Sequence, residues 1–491
     1  MKTSILTLAR VFAIAIFLLS SSAWSDEIPP PFCAQLIELK KSPRFDRLTR
    51  AIETAQFYNR RCEGSESIAW LDENGTLTPD ATELLDTIDR SYDEGLNPQR
   101  YHRDEISQAL EQLKNNEFIP PESLFWLDIL LSDAYMTLAK DLNEGLSEWD
   151  ELRSYKTAKG EKFEWDRPSI EPISYPEYLA EYLKFHRIAR SLTSLSPDYE
   201  EYRRLRDALH AFRSAAANEP GKINGSTSQK LIEKLLINLD RFRWLPRGIE
   251  KNGTYIDVNI PSFTLRVVDH GYEILRMKTI VGRSERPTPI LYSKISYAVL
   301  NPSWTAPQTI IRKDILESKD ISAFLQSHDI RVYERIGGEL YEVDPSQIDW
   351  SLYAGKKQSP YTFKTDAGDT NPLGKVKFLF PNSHFVYLHG TNTPALFKKT
   401  NRALSSGCIR LSSPQKLYDY LMDRWENPVD KNTDTPEEPD TSVHLQKKLP
   451  IFLRYMTISA DQNSTVTVYN DIYGYDEAQW AILKKKGVRG E

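Results

Sequence analysis

Near Gly253 the hydrophobic repeat of this chain changes period, and that switch limits its fold more than any other feature. Upstream, over residues 26–247, apolar residues recur at helical spacing. Thr78-Pro79 supplies an N-cap and a proline at the first helical position, which predicts a helix over 80–92 carrying Leu84, Leu85 and Ile88, with Gly95 placed as a C-cap. Ser196-Pro197 repeats the start signal before Tyr202, Leu205, Leu209 and Phe212. Downstream, residues 255–260 alternate, 263–268 are β-rich and His270-Gly271 signals a turn before 272–281, and further strands are predicted over 295–300, 385–389, 451–455 and 466–469. Ser413-Pro414 opens one helix with Leu417, Tyr420, Leu421 and Trp425, and residues 476–486 read as a solvated terminal helix. The class implied is α+β: an N-terminal helical scaffold followed by a β-rich half.

At 491 residues the chain is too long for one core, so two or three domains are expected. With 40% hydrophobic and 27% charged residues, wholesale disorder is excluded. Residues 1–25 read as a secretory signal: Lys2 and Arg10, a short apolar core, then Ala23-Trp24-Ser25. Export to the periplasm follows, and the apolar run is short for a membrane span. The formal charge of -6 becomes -8 without Lys2 and Arg10, which disfavours nucleic acid as a partner. A mixed polar segment near 310–370 interrupts the strands, and a stretch that long inside a β-domain is usually functional. Residues 427–442 are acidic and Pro/Thr-rich, as a loop would be.

The chemistry concentrates in His389-Gly390-Thr391 and Ser405-Ser406-Gly407-Cys408-Ile409-Arg410, with 18 residues between His389 and Cys408. A thiol attacks as thiolate, its ordinary pKa of about 8.5 leaves it protonated at neutral pH, and an imidazole can take that proton. Gly407 lets backbone N–H groups approach a developing oxyanion. The plainer alternatives are a small buried cysteine and a locally bonded histidine. The other histidines (His102, His186, His210, His270, His328, His384 and His444) form no metal-ligand pattern; on a strand, His384 and His389 would face opposite sides. Without a phosphate loop, nucleophile elbow or paired-carboxylate signature, no cofactor is called for.

His-Gly-Thr followed by Ser-Ser-Gly-Cys-Ile-Arg-Leu closely resembles the catalytic signature of the L,D-transpeptidases (YkuD-type domain), bacterial envelope enzymes that cross-link peptidoglycan. The likeness extends to Leu239-Asp240-Arg241-Phe242-Arg243-Trp244-Leu245-Pro246, Val258-Asn259-Ile260-Pro261, Asn301-Pro302-Ser303-Trp304, Leu373-Gly374-Lys375-Val376-Lys377-Phe378 and Asn470-Asp471-Ile472-Tyr473-Gly474, as in the large periplasmic subgroup. The resemblance implies a scaffold domain over 26–247 and a catalytic domain over 248–491, with a capping subdomain at about 310–370 acting as a lid. Only residues 213–240 separate Phe212 from the Arg-Phe-Arg-Trp segment, too few for the complete peptidoglycan-binding module usual in that subgroup.

By the same resemblance Cys408 is the nucleophile and His389 the general base, then acid. The Gly390 carbonyl orients the imidazole, and the N–H groups of Gly407 and Cys408 are the oxyanion donors. Tyr387 shares a face with His389 and either lines the pocket or packs as a strand aromatic; Arg410 either binds a substrate carboxylate or braces the turn. Ser406 stands where many relatives have histidine, so His389 alone serves both transfer steps; Thr391 completes the pocket candidates. The implied reaction joins a tetrapeptide donor stem to an amine acceptor in a 3–3 cross-link, and the family is carbapenem-sensitive. Water as acceptor would give an L,D-carboxypeptidase; a cross-link hydrolase and a non-catalytic envelope scaffold are the other readings. Stem peptides are the expected partners, with cell-wall synthesis proteins as further candidates.

The chain has three cysteines. In an oxidising compartment two should pair, and Cys33 and Cys62, near in sequence and both ahead of the catalytic half, are the expected disulfide. Cys408 is left as the odd thiol, unless all three are reduced.

Overall fold

The computed structural model describes residues 31–490 apart from 65–67, 73, 116–119, 156–164, 167–171, 219–221, 224–225, 354–358 and 425–437. The expected signal segment and Trp425 lie outside the described residues. Among those described, no helix is long and apolar enough to cross a membrane.

The N-terminal region is helical, with principal helices α1 (Ala51–Glu63), α2 (Pro79–Arg90), α3 (Pro121–Glu144), α4 (Glu200–Asn218) and α5 (Ser228–Phe242). α3 is buried on all sides from Trp126 to Ala139, as a helix at the centre of a bundle must be. Its buried acids are satisfied by backbone donors: Asp128 accepts from Ala69 N and Trp70 N, and Asp133 from Thr49 N and Arg50 N. A disulfide joins Cys33 to Cys62 at the end of α1. In α2, Thr78 caps as expected, accepting from Ala81 N at 3.2 Å. The helix ends sooner than expected, at Arg90, and Gly95 sits in the turn beyond it at φ +76°. α4 begins at Glu200, three residues past Pro197.

The C-terminal region is built on a nine-stranded sheet from β1 (Thr254–Asn259), β2 (Thr264–Asp269), β3 (Tyr272–Gly282), β4 (Leu291–Leu300), β9 (Val376–Leu379), β10 (Leu388–His389), β11 (Ala403–Ser405), β12 (Ile409–Leu411) and β13 (Thr441–Arg454). Strand order is β11-β3-β12-β10-β9-β4-β13-β1-β2, and a further pairing of β2 with β3 closes the sheet into a ring with β11 outside it. The ring's interior holds Ile256, Val258, Ile295, Phe378, Leu388, Ile409 and Leu411. Between β4 and β9 the chain forms its own small sheet, β5 (Trp304–Thr305), β6 (Arg331–Ile336), β7 (Glu339–Val343) and β8 (Tyr361–Thr365), in the order β5-β8-β6-β7. That capping segment has a separate apolar cluster including Ile311, Ile315, Leu325, Val332 and Phe363. Helices α6 (Pro414–Arg424) and α7 (Tyr475–Lys485) complete the fold.

Two expectations are corrected. The strand predicted over 385–389 is only Leu388–His389: Phe385 turns to φ +56° and is 86% exposed, and His384 lies before the strand, 3.0 Å from Asp166. The terminal helix is not solvated. α7 buries Tyr475, Ala478, Gln479, Ile482 and Leu483 on one face, and Lys484 and Lys485 lie outside it. The residues expected to form a loop over 427–442 are described only from 438, and β13 begins at Thr441.

Candidate active site

The two halves of the signature meet because β10 and β12 pair in parallel, Leu388 opposite Ile409 and His389 opposite Arg410. Ile409 N donates to Tyr387 O at 3.1 Å, which sets Cys408 beside Tyr387. Alternation sends Leu388, Ile409 and Leu411 into the ring and leaves Tyr387, His389 and Arg410 on the opposite face. Tyr387 packs there against the capping cluster, its ring 5.6 Å from that of His389.

Burial sets the protonation states. It pushes the Cys408 thiol up to about 11, against the pull of the Tyr387 backbone and hydroxyl and of the Arg410 charge. Burial lowers the His389 imidazole to about 3, and Arg410 and Lys377 push the same way. The carbonyls of Gly390 and Leu373 oppose that shift by favouring a ring proton. Neither meets hydrogen-bond geometry at Nδ1, which is buried without a partner, so orientation of the ring by Gly390 is electrostatic in this state. At rest the site therefore holds a neutral thiol and a neutral imidazole.

Hydroxyls fix the cysteine turn. Ser405 Oγ donates to Cys408 O at 2.6 Å and accepts from Gly407 N at 3.2 Å. Thr288 Oγ1 donates to Gly407 O at 2.7 Å and accepts from Gly282 N at 2.8 Å. Tyr473 OH closes the same loop, donating to Gly282 O and accepting from Thr288 N. Gly407 has φ +118°, a conformation that suits glycine. Gly282 is fixed by crowding, since a Cβ there would come within 2.2 Å of Arg286 O. The Gly407 N–H expected as an oxyanion donor is thus occupied by Ser405 Oγ, which leaves Cys408 N–H as the candidate donor.

Ser406 Oγ accepts from Arg286 Nη1 at 3.0 Å and Arg283 Nη2 at 3.4 Å, and both arginines pair with Asp314 in the capping segment. Arg410 does not brace the turn through Nε, which is buried without a partner. Thr391 Oγ1 accepts from Thr393 N and lines a cavity of about 260 Å³ with Gly390, Lys375, Phe397 and Ser412. A larger cavity, about 450 Å³, lies elsewhere, between α4 and strands β1 and β2, beside the ion pairs of Arg454 and Arg266 with Asp257. It holds none of the candidate residues.

Sequence reading missed Thr288, Arg283, Arg286 and Asp314. All four meet only through the fold.

Residues 253–443 match the family model of the L,D-transpeptidase catalytic domain (YkuD), and residues 53–209 match that of a scaffold domain. A Haemophilus influenzae protein named "Putative L,D-transpeptidase" is 35% identical over 285 residues, 56% of this chain and 56% of that protein, so the match spans little more than half the relative's length. A solved L,D-transpeptidase from Mycobacterium smegmatis aligns with 41% of this chain and 59% of its own at 14% identity and a TM-score of 0.21, too slight to argue from. The chain joins an N-terminal scaffold domain to a catalytic domain of the YkuD L,D-transpeptidase family.

Proposed function

We propose that this protein is an exported peptidoglycan L,D-transpeptidase acting in the periplasm, with Cys408 as nucleophile and His389 as the single base and acid. The observation that carries the reading is the parallel pairing of β10 with β12, which puts an unpaired thiol diagonally across from a buried, unprotonated imidazole. The Cys408 proton passes to His389 as sulfur adds to the carbonyl of the third, L-centred residue of a tetrapeptide stem. Collapse breaks the amide, and the leaving D-Ala amine takes the proton from His389. An acceptor amine then attacks the thioester, gives up a proton to the imidazole, and releases the Cys408 thiol with a 3–3 cross-link. Water in the acceptor's place yields the L,D-carboxypeptidase reaction. The capping segment acts as the lid that excludes water, consistent with its contact with Tyr387.

Because both resting groups are held neutral, the thiolate–imidazolium pair forms only as substrate arrives, and Cys408 N–H supports the oxyanion. Losing one such donor typically costs about 10²–10³ in rate. Muropeptide mass analysis after incubating purified protein with disaccharide-tetrapeptide, with and without acceptor stems, tests the reading. Cross-linked dimers that vanish in Cys408→Ala, together with a single carbapenem adduct on Cys408, are the expected result. Products unchanged by Cys408→Ala would sink it.

A further inference from the structure

Arg283 and Arg286 lie on the loop between β3 and β4 that cradles the cysteine turn, and both guanidinium groups donate to the hydroxyl of Ser406, two residues before Cys408. The carboxylate facing them comes from the capping segment: Asp314 Oδ1 lies 2.9 Å from Arg283 Nη2 and 3.0 Å from Arg286 Nη2, and Asp314 Oδ2 also pairs with Arg286. Two cations therefore share one carboxylate, and one positive charge of the trio is left uncancelled. Planar, forked guanidinium groups converging on a single carboxylate are the usual geometry of carboxylate recognition. The Arg286 side chain is 10% exposed, whereas Arg283 and Asp314 keep 37% and 26%. A pair with that much access to water exchanges partners at little cost. Asp314 also sits in the π-helical turn Ile311–Ile315, a rare form that is frequent at functional sites.

We propose that Arg283 and Arg286 form a carboxylate-binding site beside the cysteine turn, and that Asp314 occupies it at rest as a built-in competitor. Resting on the transpeptidase reading, the ligand is the free α-carboxylate one residue beyond the scissile carbonyl of a donor stem. Its arrival displaces Asp314 and loosens the capping segment's hold on the turn.

Alkylation of Cys408 in the full chain tests this without any cross-linking assay. Iodoacetate carries a carboxylate and iodoacetamide does not, and the ratio of their second-order rate constants cancels changes in the thiol itself. Asp314→Asn should raise that ratio about fivefold, the scale of a partly exposed ion pair. Arg286→Gln added to Asp314→Asn should return it to the wild-type value. Glu317→Gln, which removes an exposed carboxylate three residues further along, should leave it unchanged. An unchanged ratio in Asp314→Asn, an equal rise in Glu317→Gln, or no fall in the double variant overturns the proposal. If Cys408 resists both reagents, its protonated resting thiol is the cause and no ratio is formed. The arginine site is then judged by N-acetyl-D-alanine, which should raise the melting temperature of Asp314→Asn and not of the double variant; no rise in either would overturn it.

Discussion

Cys408 is held as the protonated thiol, the form that does not attack, and His389 as the neutral imidazole, the form that can take up a proton; burial is the main cause in both. The sign of the two shifts makes a measurable statement. A thiol whose pKa is raised stays protonated until the pH passes its folded-state value, so iodoacetamide should react with Cys408 ever faster from pH 8 to beyond 10, where an ordinary thiol has levelled off. A plateau near neutral pH in the rate profile would mean that a resting thiolate–imidazolium pair already exists. These two residues were legible in the sequence because a cysteine in a Ser/Gly turn and a histidine ending an apolar run are local patterns. Arg283, Arg286 and Asp314 were not, since they meet only after β3 closes against β12 and the capping segment folds back.

Among the elements, the loop from Gly282 to Thr288 does the most to hold the Cys408 turn. Thr288 Oγ1 satisfies a buried N–H and a buried carbonyl at once. Thr288→Val keeps the shape and strands both groups, which should cost about 1–3 kcal/mol of stability per the usual penalty for unpaired buried polar groups. Urea unfolding gives the stability, and the alkylation rate of Cys408 in the folded variant shows whether the turn has slackened; no loss in either would assign the hydroxyl no structural role. Strands β1 to β4 were legible from their β-branched and aromatic runs between turn signals, although β1 is buried on both faces. β10 was overextended because apolar residues continue upstream through Phe385, although the backbone there has already turned. The terminal helix was misread by its lysines. Tyr475, Ala478 and Ile482, spaced three and four apart, carried the buried face.

Across the whole molecule the helical and β regions share their packing. The largest apolar cluster contains α3 and α5 residues together with Tyr255, Val268, Phe452 and Met456 from the ring and its exit. α7 returns to α5 through Arg241, which lies 2.8 Å from Asp476, donates to Gln479 and Tyr455 O, and is 1% exposed. Arg241→Leu leaves Asp476 with Lys234 alone among these cations, and breaking a buried pair this way typically costs 3–5 kcal/mol. Denaturant unfolding followed by tryptophan fluorescence should show that loss in one shared transition. A separate early transition of the β region would show instead that the two regions unfold independently.

That shared cluster bears on how the protein can be handled. A fragment starting at residue 248 would lay bare Tyr255, Phe452 and Met456, whose covering comes from the preceding helices. Such a truncation is a candidate for aggregation, and a minimal soluble unit should begin no later than Ser228, so that α5 travels with the barrel it covers.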